Sequence, residues 1–226
     1  MIDYGVIMFI VCIAIMIIVP YLLCGINSAI IVTKIKTGKD IRTFGSGNAG
    51  LTNTLRTQGK AAAIFVLLGD VAKGVLSVVL VSLSFMLLAG IDARSTADGW
   101  QWVLYAAGVA AIIGHVFPVY FGFKGGKGVL VTVAVLIAID WLPAVILLAI
   151  FGTIVAVSRY VSLGSVIAAT LYPFTVLIFG IVQGSPCYLA NFLLSGLIAA
   201  MIVFMHRENM KRLKNHTEKK LGKKSE

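Results

Sequence analysis

The chain has 226 residues, 59% of them hydrophobic and 12% charged, with a formal net charge of +10 at pH 7 and a mean hydropathy of +1.00. Soluble domains carry roughly twice that share of charge, so a soluble globular protein is excluded. Apolar runs of about 20 residues recur and read as transmembrane helices, and the polar stretches between them are too short to build a second domain.

In chain order, the first run is "MIDYGVIMFIVCIAIMIIV". It lacks a basic leader and a small-residue cleavage site, so it reads as a retained first helix and not a signal peptide. It continues through "PYLLCGINSAIIV", with Pro20 and Gly25 as expected bend points. Further spans are expected at Ala61–Leu88, Trp100–Phe123, Val129–Ile139, Pro143–Val157, Leu163–Ile181 and Cys187–Met205. The fourth and fifth are short for a hydrocarbon core about 30 Å thick. Asp140 and Pro143 interrupt the run between them, which favours two spans over one. The expected fold is therefore an all-α integral membrane bundle of seven helices, with residues 1–210 as the membrane domain and 211–226 as a basic tail.

Seven spans place the N-terminus outside and the C-terminus inside. Lys34, Lys36, Lys39, Arg42, Arg56 and Lys60 then share the first cytoplasmic loop, Lys124 and Lys127 the second, and Arg159 the third. Arg207, Lys211, Arg212, Lys214, Lys219, Lys220, Lys223 and Lys224 follow the last span. That is 17 of 19 basic residues on one side, as the positive-inside bias requires; a six-span arrangement would put Arg159 and the tail outside. Arg94 faces outward and Lys73 lies within a span, three residues after Asp70; burial of both needs pairing or solvation. The three cysteines have no metal-ligand spacing and read as packing residues. No nucleic-acid motif is present.

The basic side also carries soft, polar loops. In "FGSGNAGLTNTLR", Phe44–Arg56, three glycines allow close backbone approach and positive φ, and successive N–H groups form anion-binding nests. Ser46, Asn48, Thr52 and Asn53 add neutral hydrogen bonds, and Arg56 adds a fork suited to phosphate. In "GHVFPVYFGFKGGKGV", Gly114–Val129, Lys124 and Lys127 bracket Gly125 and Gly126. The Walker spacing is not met, so no nucleotide is implied. His115 reads as a packing histidine. "SRYVSLGS", Ser158–Ser165, is a hydroxyl-rich turn. In "HRENMKRLKNHTEKKLG", His206 and Asn209 share a helical face, and Glu208 and Arg212 are spaced to pair. Convergence of these four segments would create a cytoplasmic pocket for more than one phosphate. A carrier for a phosphorylated solute and a scaffold without chemistry are the competing readings.

"SGNAGLTNTLR", "GHVFPVYFGFKGGKG" and "HRENMKRL" resemble the three signature regions of the bacterial acyl-phosphate:glycerol-3-phosphate acyltransferases, the PlsY family. "DIRTFGSGN" and "DVAKG" fit the resemblance, which spans nearly the whole chain. It implies seven helices, a cytoplasm-facing site in a bacterial inner membrane, and acyl transfer from acyl phosphate to the 1-hydroxyl of glycerol 3-phosphate, giving lysophosphatidic acid and phosphate in the first step of phospholipid synthesis. It assigns Ser46, Asn48, Arg56, Lys127 and Ser165 to the acyl phosphate, and His206 and Asn209 to glycerol 3-phosphate. Catalytic roles go to Ser46, Arg56, Lys127 and His206. Binding roles extend to Gly47, Gly50, Asn53, Lys124, Gly125, Gly126 and Ser162. The proton acceptor is His206 or a substrate phosphate. No metal and no cofactor are implied; the lipid bilayer is a partner, and the acyl-phosphate-producing enzyme is a candidate for the tail. The tail reads "KNHTEKK" where the family has a glycine before its Thr-Glu pair, so Thr217 and Glu218 are not carried over. "CGINSA" in the first helix also departs from the family pattern, with no loss of function attached to it.

Overall fold

The structure, a computed structural model, describes residues 4–222. Met1–Asp3 of the expected first span and Lys223 and Lys224 of the expected tail lie outside the described residues. The described residues form ten α-helices: α1 Tyr4–Gly25, α2 Ser28–Thr37, α3 Leu51–Gln58, α4 Lys60–Ala89, α5 Trp102–Val116, α6 Val129–Ile139, α7 Trp141–Ser158, α8 Val161–Val182, α9 Tyr188–Met205 and α10 Arg207–Lys214. Short 3₁₀ turns at Ile41–Thr43 and Val119–Phe121 punctuate the first two basic loops.

Among the described residues six segments are long and apolar enough to cross a membrane: Tyr4–Thr37, Lys60–Ala89, Trp102–Phe121, Trp141–Ser158, Val161–Val182 and Tyr188–Met205. Their outward faces carry large apolar side chains, as lipid-facing surfaces do: Ile18, Leu87, Ile178 and Leu193 are all more than half exposed. The core is a continuous cluster linking α1, α4, α5, α6, α8 and α9 through residues such as Phe85, Leu104, Ile112, Val135, Tyr172 and Ile198.

The first span breaks at Gly25–Asn27, while Pro20 stays inside α1. Asn27 caps α2 by accepting from the Ile30 N–H at 3.0 Å. The break frees the Ile26 carbonyl, and Lys73 Nζ donates to it at 2.8 Å. Lys73 also meets Asp70 at 2.9 Å, with both side chains 5% exposed or less, and Ser28 Oγ donates to Asp70 at 2.8 Å. The buried charges are thus paired with each other and with the helix break.

The sixth helix has 11 residues, about 16 Å of rise, roughly half the hydrocarbon core. The residues before it form a loop and do not extend the helix. Gly125 and Gly126 donate their N–H groups to the Val116 and His115 carbonyls at 2.9 and 3.2 Å, so the loop folds back along the end of α5. Asp140 ends α6 and caps α7, accepting from the Leu142 N–H at 3.3 Å. The interruption expected at Asp140 and Pro143 therefore separates two helices.

Candidate active site

The basic loops and the adjoining helix ends enclose a cavity of about 820 Å³. Loop 45–50, α3, Lys127, α10 and residues 217–221 form its polar mouth. Its deeper wall is apolar, from α6, α7, α8 and α9.

The first loop turns on Gly45 and Gly47, both left-handed with φ of 57° and 71°. Asn53, 2% exposed in α3, holds the loop in shape. Its Oδ1 accepts from the Ser46 N–H at 3.0 Å, and its Nδ2 donates to the Phe44 and Asn48 carbonyls at 3.0 Å each. Asn53, expected to bind substrate, lines the cavity with its amide engaged in the loop itself. Ser46, Gly47, Asn48 and Gly50 also line the cavity. Arg56 projects from α3, donates through one terminal nitrogen to the Lys219 carbonyl at 3.1 Å, and keeps Nε buried without a partner among the described residues.

The second loop sends only part of its expected set into the site. Lys127 and Gly128 line the cavity. Lys124 is exposed, and its carbonyl receives the Arg42 guanidinium at 2.9 Å. Gly125 and Gly126 stay outside the lining because their N–H groups are consumed by α5. They are glycine for packing: a Cβ on Gly125 would sit 1.9 Å from the His115 carbonyl oxygen, and one on Gly126 would sit 2.3 Å from His115 Nε2. Lys124, Gly125 and Gly126, expected to bind substrate, thus lie outside the cavity lining and set the path that delivers Lys127.

Ser162 and Ser165, on the first turns of α8, are buried and line the cavity. His206 sits at the junction of α9 and α10 and is 4% exposed. Its Nδ1 lies 2.8 Å from the Ile202 carbonyl; a carbonyl only accepts, so Nδ1 carries the proton and Nε2 is the free acceptor. Burial and the Lys127 charge lower its pKa to about 4 against the opposing Ile202 and Glu218 contacts, so it is neutral at pH 7.

Lys127 donates to Asn209 Oδ1, Asn209 Nδ2 donates to Glu218 Oε1 at 2.6 Å, and Arg212 Nε donates to Glu218 Oε2 at 2.7 Å. Burial lowers the Lys127 pKa to about 8, with Arg212 and Arg56 adding to the fall and Glu218 opposing it. Burial works to raise Glu218, but hydrogen bonds from Asn209 and Arg212 outweigh it and hold the carboxyl below its ordinary value. Residues after α10 thus fold back across the mouth. Leu221 N–H donates to the Arg159 carbonyl at 2.7 Å, fastening that return.

Glu208 pairs with Lys211 at 3.2 Å, not with Arg212 as its spacing suggests, because Glu218 claims Arg212. Arg212 and Glu218 are site residues that sequence reasoning missed. Arg212 follows Asn209 by three residues and was legible from helical spacing; Glu218 was hidden by the departure from the motif. His115 and Thr132 also line the cavity, and both have a buried polar atom without a partner among the described residues. Among the described residues no three His, Cys, Asp or Glu converge as a metal site.

The mouth is built for anions. Arg56, Lys127, Arg207, Arg212 and Lys219 line the cavity against three carboxylates. Those three are each paired with a cation: Asp70 with Lys73, Glu208 with Lys211, and Glu218 with Arg212.

Fold and site together define a multi-pass integral membrane protein with a cavity that is cationic at one end and apolar beyond it. Its chain belongs to the glycerol-3-phosphate acyltransferase family, whose model matches residues 14–216. A relative from Halalkalibacterium halodurans named glycerol-3-phosphate acyltransferase is 42% identical over 91% of this chain and 94% of its own. One of the same name from Clostridioides difficile is 41% identical over 92% and 95%. The crystal structure of PlsY, an integral membrane glycerol 3-phosphate acyltransferase, in its glycerol 3-phosphate form superposes with a TM-score of 0.76 at 33% identity, covering 93% of this chain and 96% of that one. The lysophosphatidic acid form gives 0.73 at 32% identity, covering 93% and 95%. The resemblance to the PlsY family is borne out, and the protein is a membrane glycerol-3-phosphate acyltransferase.

Proposed function

We propose that the acyl donor is acyl phosphate and that the products are lysophosphatidic acid and inorganic phosphate. The observation carrying this reading is one cavity that joins a cationic, loop-built mouth to an apolar limb between helices. That is the complement of a phosphate bearing a long hydrocarbon tail, brought beside a second, water-soluble phosphate. The forms in which PlsY was solved support the acceptor and the product.

Acyl phosphate is a mixed anhydride, so no covalent enzyme intermediate is needed. The 1-hydroxyl oxygen of glycerol 3-phosphate attacks the carbonyl carbon, and the carbonyl oxygen takes up negative charge. The carbon–oxygen bond to phosphate then breaks, and phosphate leaves with the bonding pair. The protein's task is to hold two anions close and to stabilise the charge that develops. Arg56 and Lys127 do this beside the donor, with Ser46, Asn48 and Ser165 and the loop backbone at Gly47 and Gly50. Asn209 and His206 hold the acceptor, with Ser162 nearby. An imidazole with a pKa of about 4 is a weak base. His206 Nε2 therefore orients the hydroxyl, and the proton passes to the departing phosphate.

In this reading α6, with the loop before it, counts as the seventh crossing. The N-terminus is outside, the mouth faces the cytoplasm of a bacterium across its inner membrane, and the basic tail is where an acyl-phosphate-producing enzyme docks. The test uses purified protein in detergent with palmitoyl phosphate and glycerol 3-phosphate, and with palmitoyl-CoA in parallel. Phosphate release that requires both substrates, with lysophosphatidic acid formed, is expected. Turnover with the thioester alone would overturn the donor, and turnover with neither, in folded protein, would favour a carrier.

A further inference from the structure

The apolar limb of the cavity has a floor. On α8 its lining follows one stripe: Val161, Ser162, Ser165, Ala168, Ala169 and Tyr172. After the serines the stripe is small at Ala168 and Ala169, which leaves room, and then meets a full aromatic ring. Tyr172 is 2% exposed and is the largest fully buried side chain among the described residues. It packs in the same core cluster as Val176, one turn further along α8, and Val176 no longer touches the cavity.

Two further helices stop at the same level. Antiparallel to α8, α7 lines the limb from Val155 back to Ala144. Val161 to Tyr172 and Val155 to Ala144 each span about 16 Å at 1.5 Å per residue. Both stretches end about half a hydrocarbon core from the mouth. The shorter α6 contributes its last lining residue at Leu136, and among the described residues the lining goes no deeper. The Tyr172 hydroxyl has no partner among the described residues, so what this side chain supplies at the floor is bulk.

We propose that Tyr172 is the stop that sets the longest acyl chain this enzyme accepts, with Ala169 and Ala144 keeping the limb open up to it. The inference rests on the acyl-transfer reading above. Each methylene that gains or loses a place in the limb changes the relative kcat/KM about fourfold. A chain that reaches the floor gains with every carbon, and one that exceeds it must bend or leave its end in lipid.

The experiment is a competition among dodecanoyl, tetradecanoyl, hexadecanoyl, octadecanoyl and eicosanoyl phosphates, with glycerol 3-phosphate. The lysophosphatidic acids formed are measured by mass. Tyr172→Ala is expected to shift the product distribution toward longer chains, raising the ratio of octadecanoyl to tetradecanoyl product about tenfold or more. Ala169→Leu is expected to shift it toward shorter chains by a similar factor. Tyr172→Phe, which keeps the ring, is expected to leave the distribution as in the parent. If Tyr172→Ala does not yield folded protein, Ala169→Leu decides alone: a shortened distribution supports the stop and an unchanged one overturns it. Unchanged distributions in active Tyr172→Ala and Ala169→Leu overturn the stop while leaving acyl transfer intact. Absence of transfer from every acyl phosphate by the parent protein overturns the donor and the stop together.

Discussion

Lys127 and Asn209, 82 residues apart, are joined by a hydrogen bond from the ammonium to the amide oxygen. The two residues reach each other from different elements, the loop before α6 and the short α10. Asn209 in turn is fixed by Glu218, which is fixed by Arg212. A chain of four side chains thus locks the second basic loop to the end of the last membrane span. The Lys127 cation is held in place by neighbours that also set its charge.

This chain has a pH signature. Lys127 falls from the ordinary 10.5 to about 8, so it is cationic below that value and loses its charge above it. If the cation is needed for the donor phosphate, kcat/KM shows an alkaline limb near pH 8, falling about tenfold per unit beyond it. Glu218 is the group that opposes the fall, so Glu218→Gln moves the limb to lower pH. A limb at the ordinary lysine value, or one that Glu218→Gln does not move, removes Lys127 from this role.

Arg56 makes a single side-chain hydrogen bond to the tail, through one terminal nitrogen, and its buried Nε is unpaired among the described residues. A guanidinium so placed is free to contact an anion through its remaining donors. Arg56→Ala is expected to lower kcat/KM about 100- to 1,000-fold, the usual loss when one charge-stabilising donor is deleted. Thermal unfolding in detergent should be little changed, because the lost contact lies at the surface. Near-parental kcat/KM in Arg56→Ala sinks the assignment.

Several apolar helices were legible to within a residue or two, because a lipid-facing helix must be apolar along its whole length and stops where polarity returns; Trp100–Phe123 instead ended as a helix at Val116, and Val129–Ile139 is too short to be one of the six candidate spans among the described residues. Ala61–Leu88 became Lys60–Ala89, and Leu163–Ile181 became Val161–Val182. What escaped was everything that depends on contacts between distant segments. Gly125 and Gly126 read as a flexible cationic loop, since sequence does not show that the end of α5 lies against them. Leu51–Arg56 read as part of a glycine-rich polar loop, yet α3, Leu51–Gln58, is helical with Asn53 buried as the organiser of the turn before it. Glu208 and Arg212 obeyed a local spacing rule that Glu218 overrode from outside the helix.

The glycine contacts make a sharp contrast testable. A Cβ at Gly125 meets backbone at 1.9 Å, which cannot yield without moving the loop before α6, whereas one at Gly152 in α7 meets nothing within 4 Å. Gly125→Ala should cost about 1–3 kcal/mol and displace Lys127, lowering both Tm and kcat/KM. Gly152→Ala should keep full activity and an equal or higher Tm, because helical alanine is favoured by about 0.5–1 kcal/mol. Equal behaviour of the two variants would show that the loop does not pack against α5 as described.

The buried Asp70–Lys73 pair lines no obvious chemistry beyond the edge of the cavity, and its geometry is that of a structural tie between α4 and the break after α1. Asp70→Leu leaves Lys73 charged and unpaired inside the bundle, at a cost of about 3–5 kcal/mol. Removing both charges, Asp70→Leu with Lys73→Met, restores most of that stability. The Ile26 carbonyl then loses its donor, so a deficit of about 1–3 kcal/mol remains. Thermal unfolding of the two variants in one detergent measures the difference. A double variant as unstable as the single one would mean that Lys73 serves the Ile26 carbonyl more than it serves Asp70. A double variant that is stable but inactive would move the pair from the scaffold into the catalytic site.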